Sequence, residues 1–241
     1  MTDLGGPDLL IVLGLTGVGK STAVAPLTDR ATLLPNRRTL TDALIIPEVQ
    51  RAAGLPLRPV TDRLERFTLT RRYRERHPGG MADALRGYLE TQSLGAGPFV
   101  FDNLRGQGET RAAVSAFPGA RFVLLDAPPS VRLSRLVGRR DPFDEVVAET
   151  SSTPLSEQLL AIDGLADVFD VHVLARWAAE GVPESDLLKA ARIIVSESQN
   201  YDMGAAADFL RAHKDAHGFL HLDTADLSAD AVRERIREWL G

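Results

Sequence analysis

Three observations predict an α/β fold in which a mostly parallel sheet is covered by helices on both faces. Apolar runs without alternation occur at Leu9-Leu10-Ile11-Val12-Leu13, Phe99-Val100-Phe101 and Phe122-Val123-Leu124-Leu125, as in strands buried on both sides. Segments of helical spacing separate these runs. With 241 residues, 44% of them hydrophobic, the chain can bury one substantial core and carry a smaller lid or insertion.

The first strand runs straight into Gly14-Leu15-Thr16-Gly17-Val18-Gly19-Lys20-Ser21, and a helix-compatible stretch follows from 21 to 29. This is the pattern G-x-x-x-x-G-K-[ST] between a strand and a helix, and it implies a phosphate cradle. Gly14, Gly17 and Gly19 let the backbone curl so that N–H groups, those of Thr16 and Val18 included, point inward at an anion. Lys20 would reach the terminal phosphates, the Ser21 hydroxyl would hold Mg²⁺, and Thr22 would add a hydroxyl beside the innermost phosphate. The chain has 28 Lys and Arg residues, and only Lys20, Lys189 and Lys214 are lysines, so a lysine at the required position carries weight.

Two short runs, Thr32-Leu33-Leu34 and Ala43-Leu44-Ile45-Ile46, compete to be the second strand, with Asn36-Arg37-Arg38 between them. Residues 50–80 are dense in arginine, including Arg51, Arg58, Arg63, Arg66, Arg71, Arg72, Arg74 and Arg76, and 61–76 reads as a helix through Leu64, Phe67 and Leu69. A break at His77-Pro78-Gly79-Gly80 precedes a helix over 81–90. The strand at Phe99 ends in Asp102, a helix over 109–117 follows, the strand at Phe122 ends in Asp126, and a helix opens at Val131. Helical segments then dominate 141–216, at 155–162, 168–180, 184–197 and 203–216. Ser196 to Asp202 is a polar cluster that reads first as an exposed turn and second as a segment lining the site. The alternation closes with a strand at 218–223 and a helix capped by Ser228, with Val232, Ile236, Trp239 and Leu240 on one face.

Composition excludes several classes. A net charge of −5 argues against a nucleic-acid partner. The absence of cysteine removes disulfides, thiol catalysis and cysteine-ligated zinc, and the 5 histidines show no metal-ligand spacing. No apolar stretch reaches the roughly 18 residues of a membrane span, so a cytoplasmic protein, monomeric or homodimeric, is the expectation.

Two motifs carry a resemblance to the P-loop kinases of small molecules, and among them to the nucleoside monophosphate kinases. One is the loop from Gly14 to Ser21. The other runs from Asp126 to Arg140, where Asp126-Ala127-Pro128 leads a helix into Arg135-Leu136-Val137-Gly138-Arg139-Arg140, as in the segment before the adenylate kinase lid. The resemblance covers 9–140 and 218–241 and implies a three-layer P-loop NTPase fold with a five-stranded sheet ordered 2-3-1-4-5. The core would be 1–140 and 217–241, and 141–216 a helical lid or insertion larger than that family's usual lid. It also implies an ATP- and Mg²⁺-dependent kinase of a small phosphorylated acceptor, a nucleotide first.

By the same resemblance Asp102, in preference to Asp126, would orient Mg²⁺ with Ser21, Arg135 would lie on the adenine base, and Arg139 would stabilise the transferring phosphoryl group. Where adenylate kinases have Asp-Gly-x-Pro-Arg this chain has Asp102-Asn103-Leu104-Arg105, so Arg105 would hold the acceptor phosphate from a position one residue closer. Arg37, Arg38 and Arg71 join it as acceptor-side cations, because planar guanidinium groups fork onto phosphate oxygens. A hydroxyl acceptor would instead call for a carboxylate base, for which Asp42, Glu48 and Asp62 are the candidates. A nucleotide-dependent switch or binding protein is a third class, and no Asn-Lys-x-Asp guanine-reading motif supports its GTPase form.

Overall fold

The computed structural model of the protein describes residues 8–27, 30–92, 97–137 and 153–241. Five parallel strands, β1 (Leu9–Leu13), β2 (Thr32–Leu33), β3 (Phe99–Leu104), β4 (Arg121–Asp126) and β5 (Phe219–Asp223), form one sheet ordered β2-β3-β1-β4-β5. This is the predicted three-layer α/β architecture, with every strand pair parallel.

The apolar runs split by the strand period of 2. Leu9, Ile11 and Leu13, with Phe99, Phe101, Phe122 and Leu124, enter a core on one face of the sheet. That core is completed by α2 (Arg37–Leu40), α3 (Ile46–Ala52), α4 (Arg63–Arg76), α5 (Met81–Thr91) and α6 (Gly106–Ala116). Leu10, Val12, Val100, Val123 and Leu125 face the other side, toward α1 (Lys20–Val24) and α12 (Ala229–Leu240). Burial on both faces is why the runs do not alternate.

The second strand is Thr32–Leu33, paired with Phe99 and Val100 at the sheet edge. The competing run is helical instead: a π-helical turn, Thr41–Ile45, continues α2 into α3. Leu40, Ile45, Ile46 and Val49 are buried there at spacings that suit a helix rather than a strand.

After α7 (Pro129–Leu136) come α8 (Leu155–Leu160), α9 (Val171–Ala179), α10 (Glu184–Asn200) and α11 (Met203–Ala212). Within 141–216 the described helices do not share one core. Helices α8, α9 and α10 share a core of their own with Leu133 and Leu136 of α7, whereas Met203, Ala207 and Leu210 of α11 join the main core. None of the described helices is long and apolar enough to cross a membrane.

The direction of winding switches between β1 and β3, neighbours in the sheet: the connection leaving β1 runs toward β2 at one edge and the connection leaving β3 runs the other way, across β1 to β4. In open parallel sheets this switch point opens a crevice beyond the carboxyl ends of the strands. The loop from Gly14 to Gly19 and the carboxyl end of β3 both lie there.

Candidate active site

The glycines of the loop are each required by geometry. A Cβ on Gly14, at φ +153°, would sit 2.7 Å from Val18 Cγ2 and 2.8 Å from the Leu125 carbonyl oxygen. One on Gly17, at φ +88°, would sit 3.0 Å from the Arg132 carbonyl oxygen. Gly19, at φ +89°, has open space beside it but a left-handed backbone, which Gly adopts at no steric cost.

The loop's carbonyl oxygens are each held by a side-chain donor. Leu15 O accepts from Lys20 Nζ at 2.6 Å, Thr16 O from Arg132 Nε at 2.8 Å, Gly17 O from Arg135 Nη1 at 3.2 Å and Val18 O from Thr224 Oγ1 at 3.0 Å. Among the described residues none accepts a hydrogen bond from the N–H groups of Gly17, Val18, Gly19, Lys20 or Ser21. Carbonyls held by side chains and a run of amides left without acceptors are what an anion-binding concavity requires.

Thr16 departs from the expectation. It lines the cavity beside Gly17, but its N–H donates to Glu197 Oε2 at 3.0 Å and its hydroxyl to Glu197 Oε1 at 2.5 Å, so that amide is already engaged and braces the loop against α10. Thr22 is half-buried in α1 and does not line the cavity.

Beyond the loop opens a cavity of about 450 Å³. Gly17, Gly19, Lys20 and Ser21 form one wall. Asn36, Arg37, Arg38 and Thr41 border it from α2 and its continuation, and Arg63, Arg66, Phe67 and Thr70 from α4. Asp102, Asn103 and Arg105 enter from the end of β3, Arg135 from α7, and Tyr201 from just after α10. The lining has a single carboxylate, Asp102, against Lys20 and six arginines.

Several of those cations already have partners. Arg37 makes a bidentate pair with Glu109 at 2.6 and 2.8 Å and also donates to Tyr201 Oη at 3.2 Å, deep enough to make it a fold element as much as a ligand contact. Burial on its own would lower the Arg37 pKa, but the adjoining Glu109 carboxylate outweighs it and the net shift is upward. Arg66 pairs with Asp42 at 2.5 Å. Arg38 is half-buried in the lining. Arg71 is not brought to the site: it lies exposed on α4, about 100° round the helix from Thr70, and does not line the cavity. Arg139 lies outside the described residues. Arg135, which the resemblance places on a base, also donates to Thr224 O at 2.6 Å and thereby ties α7 to the loop after β5.

Lys20 is enclosed, and burial is the largest influence on it, lowering its pKa to about 7; Asp102 and Glu197 pull upward, Arg105 and Arg132 downward. For Asp102, burial raises the pKa while Lys20, Arg105 and Arg37 oppose the rise. Among the described residues its Oδ1 is buried without a hydrogen-bond partner, and so is Asn103 Oδ1. An orphaned carboxylate oxygen and the Ser21 hydroxyl bordering one cavity are hard oxygen donors of the kind Mg²⁺ takes alongside phosphates and water, so the residues fit that ion. No group of three or more His, Cys, Asp or Glu among the described residues forms a protein-only metal cage. Asp126, the rival to Asp102, is exposed and its Oδ1 accepts from the Ala127 N–H at 2.9 Å.

Sequence reasoning missed the group behind the loop. Glu197, on α10, is 0% exposed. Besides Thr16, it accepts from Arg105 at 2.8 Å, Arg63 at 3.1 Å and Arg132 at 2.5 Å. Burial would raise its pKa, but Arg105, Arg63 and Arg132, with the Thr16 hydrogen bond, bring it down to about 2. The stretch from Ser196 to Asp202 ends α10 and places Glu197 and Tyr201 inside, Tyr201 in the cavity lining, so the second reading of this cluster describes it better than an exposed turn. The signal was available, since Glu197 falls on the stripe of Ala190 and Ile193, where a lone charge on a buried face requires partners.

No protein-family model and no curated protein matches this chain. Among solved structures, an unliganded sugar kinase from Janibacter sp. HTCC2649 aligns with 97% of this chain and 94% of its own at 16% identity and a TM-score of 0.47. TT1252 from Thermus thermophilus aligns with 98% of this chain and 96% of its own at 17% identity and a TM-score of 0.45.

Proposed function

We propose that the protein is a phosphotransferase that moves the γ-phosphoryl group of ATP, with Mg²⁺, to a small phosphorylated acceptor, a nucleotide being the first candidate. The observation that carries this reading is a loop of amides facing, across one cavity, a wall of arginines with a single carboxylate among the lining residues. In the transfer an acceptor oxygen forms a bond to the γ-phosphorus as the bond to the β–γ bridging oxygen breaks, and ADP departs with that electron pair. Such a step needs alignment and charge neutralisation more than covalent help.

Each residue then has a role. The amides of 17–21 and the Lys20 ammonium hold the donor phosphates. Ser21 and Asp102 would hold Mg²⁺, which supplies charge neutralisation across the phosphate oxygens. Arg63 and Arg105 reach the open end of the loop, and Arg38 and Arg66 border the acceptor side, where the Phe67 ring offers an apolar face 5.6 Å from the Arg63 guanidinium carbon.

A phosphate acceptor needs no general base, and the candidate bases are otherwise engaged. Asp42 pairs with Arg66, Glu48 lies 2.9 Å from His77 Nε2, and Asp62 caps α4 by accepting from the Glu65 N–H at 2.7 Å.

The test is ADP release from Mg-ATP in the presence of nucleoside monophosphates, sugar phosphates, nucleosides and sugars in turn. At least one phosphorylated acceptor is expected to raise the rate about 100-fold or more over the acceptor-free rate. Acceleration only by unphosphorylated nucleosides or sugars, or by nothing in the panel, would overturn the reading.

A further inference from the structure

Glu197 belongs to no part of the loop motif and comes from a helix packed in the satellite core, yet its carboxylate touches four elements around the open end of the loop. Oε1 accepts from the Thr16 hydroxyl, Arg63 and Arg105, and Oε2 accepts from the Thr16 N–H and Arg132. Its lone pairs are fully used, so it has none left to act as a base or to ligate a metal.

One carboxylate serves three guanidinium groups, and among the described residues Arg105 Nε is buried with no acceptor. Arg132, held down in pKa by burial despite Glu197, is fixed between that carboxylate and Thr16 O. A buried cluster with surplus donors is stabilised when an anion arrives beside it. Two of its members, Arg63 and Arg105, line the cavity and are therefore the ones an anion would meet.

We infer that Glu197 is a positioning residue for phosphoryl transfer, holding Arg63 and Arg105 as a preassembled pair at the mouth of the phosphate loop. The inference rests on the phosphotransfer reading. Preorganised cations at the place where charge develops lower a barrier without reorganising during the step, and that is what one saturated carboxylate provides here. It also explains why a helix of the satellite core reaches the loop: the arginines come from α4 and from the end of β3, and α10 is the element packed close enough to both to join them.

The test compares affinity for Mg-ADP alone with affinity for Mg-ADP plus aluminium fluoride, a mimic of the transferring group that needs no identified acceptor. Wild-type protein is expected to bind the fluoride complex about 100-fold or more tightly than Mg-ADP. Glu197→Gln, which keeps the shape, is expected to bind Mg-ADP within about 3-fold of wild type and to lose about 30-fold of the fluoride increment. Arg105→Lys should lose a similar share, and the double variant little more, because the two residues act as one unit.

Equal loss of both affinities in Glu197→Gln, an unchanged increment, or additive losses would overturn the inference and leave the phosphotransfer reading standing. A wild type that binds no Mg-ADP would overturn both. Should Glu197→Gln fail to fold, Arg63→Lys and Arg105→Lys carry the same cycle, since their guanidiniums share Oε1: non-additive losses support the inference and additive ones overturn it.

Discussion

Lys20→Met is expected to lower kcat/KM for phosphoryl transfer by about 1,000-fold while leaving the Tm at pH 7 no lower than that of wild type. Activity and stability part company here because the ammonium is buried. Its pKa is brought to about 7 chiefly by that burial, so the folded state binds the proton less readily than the unfolded chain does. The sign follows from linkage. With the folded value depressed, the unfolded chain holds more protons between about pH 7 and the ordinary lysine range, and stability rises with pH across that window. Below it the full desolvation cost is present. Removing the ammonium removes that cost together with the contact that would hold the phosphates. Kinetics and a thermal melt at pH 7 check both halves, and a variant that transfers phosphate normally would show that Lys20 is only a lysine on a turn.

The second large effect is on the fold. Arg37→Met is expected to destabilise the protein by about 3 to 5 kcal/mol, a fall in Tm of about 10 °C for a chain of this size. Glu109 is 2% exposed, and besides Arg37 it accepts from the N–H groups of Arg105 and Met81 at 2.7 and 3.4 Å. Taking away the guanidinium leaves that carboxylate buried beside neutral amides alone. The companion variant Arg37→Met with Glu109→Gln should recover most of the loss, since a neutral carbonyl oxygen can still serve the two amides. Calorimetric melts of both proteins provide the measurement. If Arg37→Met melts with wild type, Arg37 is a ligand contact first, as its position in the sequence suggested.

The sheet was readable because a strand buried on both faces leaves an uninterrupted apolar run, and the loop because its glycines stand where only glycine fits. The arginines resisted. A chain this rich in arginine offers many equivalent candidates, and membership of the site depends on helix rotation: Arg63, Arg66, Phe67 and Thr70 recur at helical spacing on the cavity face of α4, while Arg71 and Arg72 fall on the solvent face. The polar stretch at the end of α10 looked like a turn because its composition is that of turns. Its buried positions, Glu197 and Tyr201, lie four residues apart on one face, a spacing that composition does not reveal. Arg132 was hidden beside Arg135 for the same reason, one turn earlier on α7 and fully inside.

The central claim, that loop amides and one buried ammonium hold a triphosphate, is tested most directly by titrating Mg-ATP into the protein at pH 8 in two buffers of different ionisation enthalpy. With the Lys20 pKa at about 7, the free protein at that pH has lost most of its ammonium proton, and an adjoining polyanion draws it back. Binding of one nucleotide with uptake of about 0.9 proton, abolished in Lys20→Met, is the predicted result. No binding, or binding with the same proton count in both proteins, would contradict it.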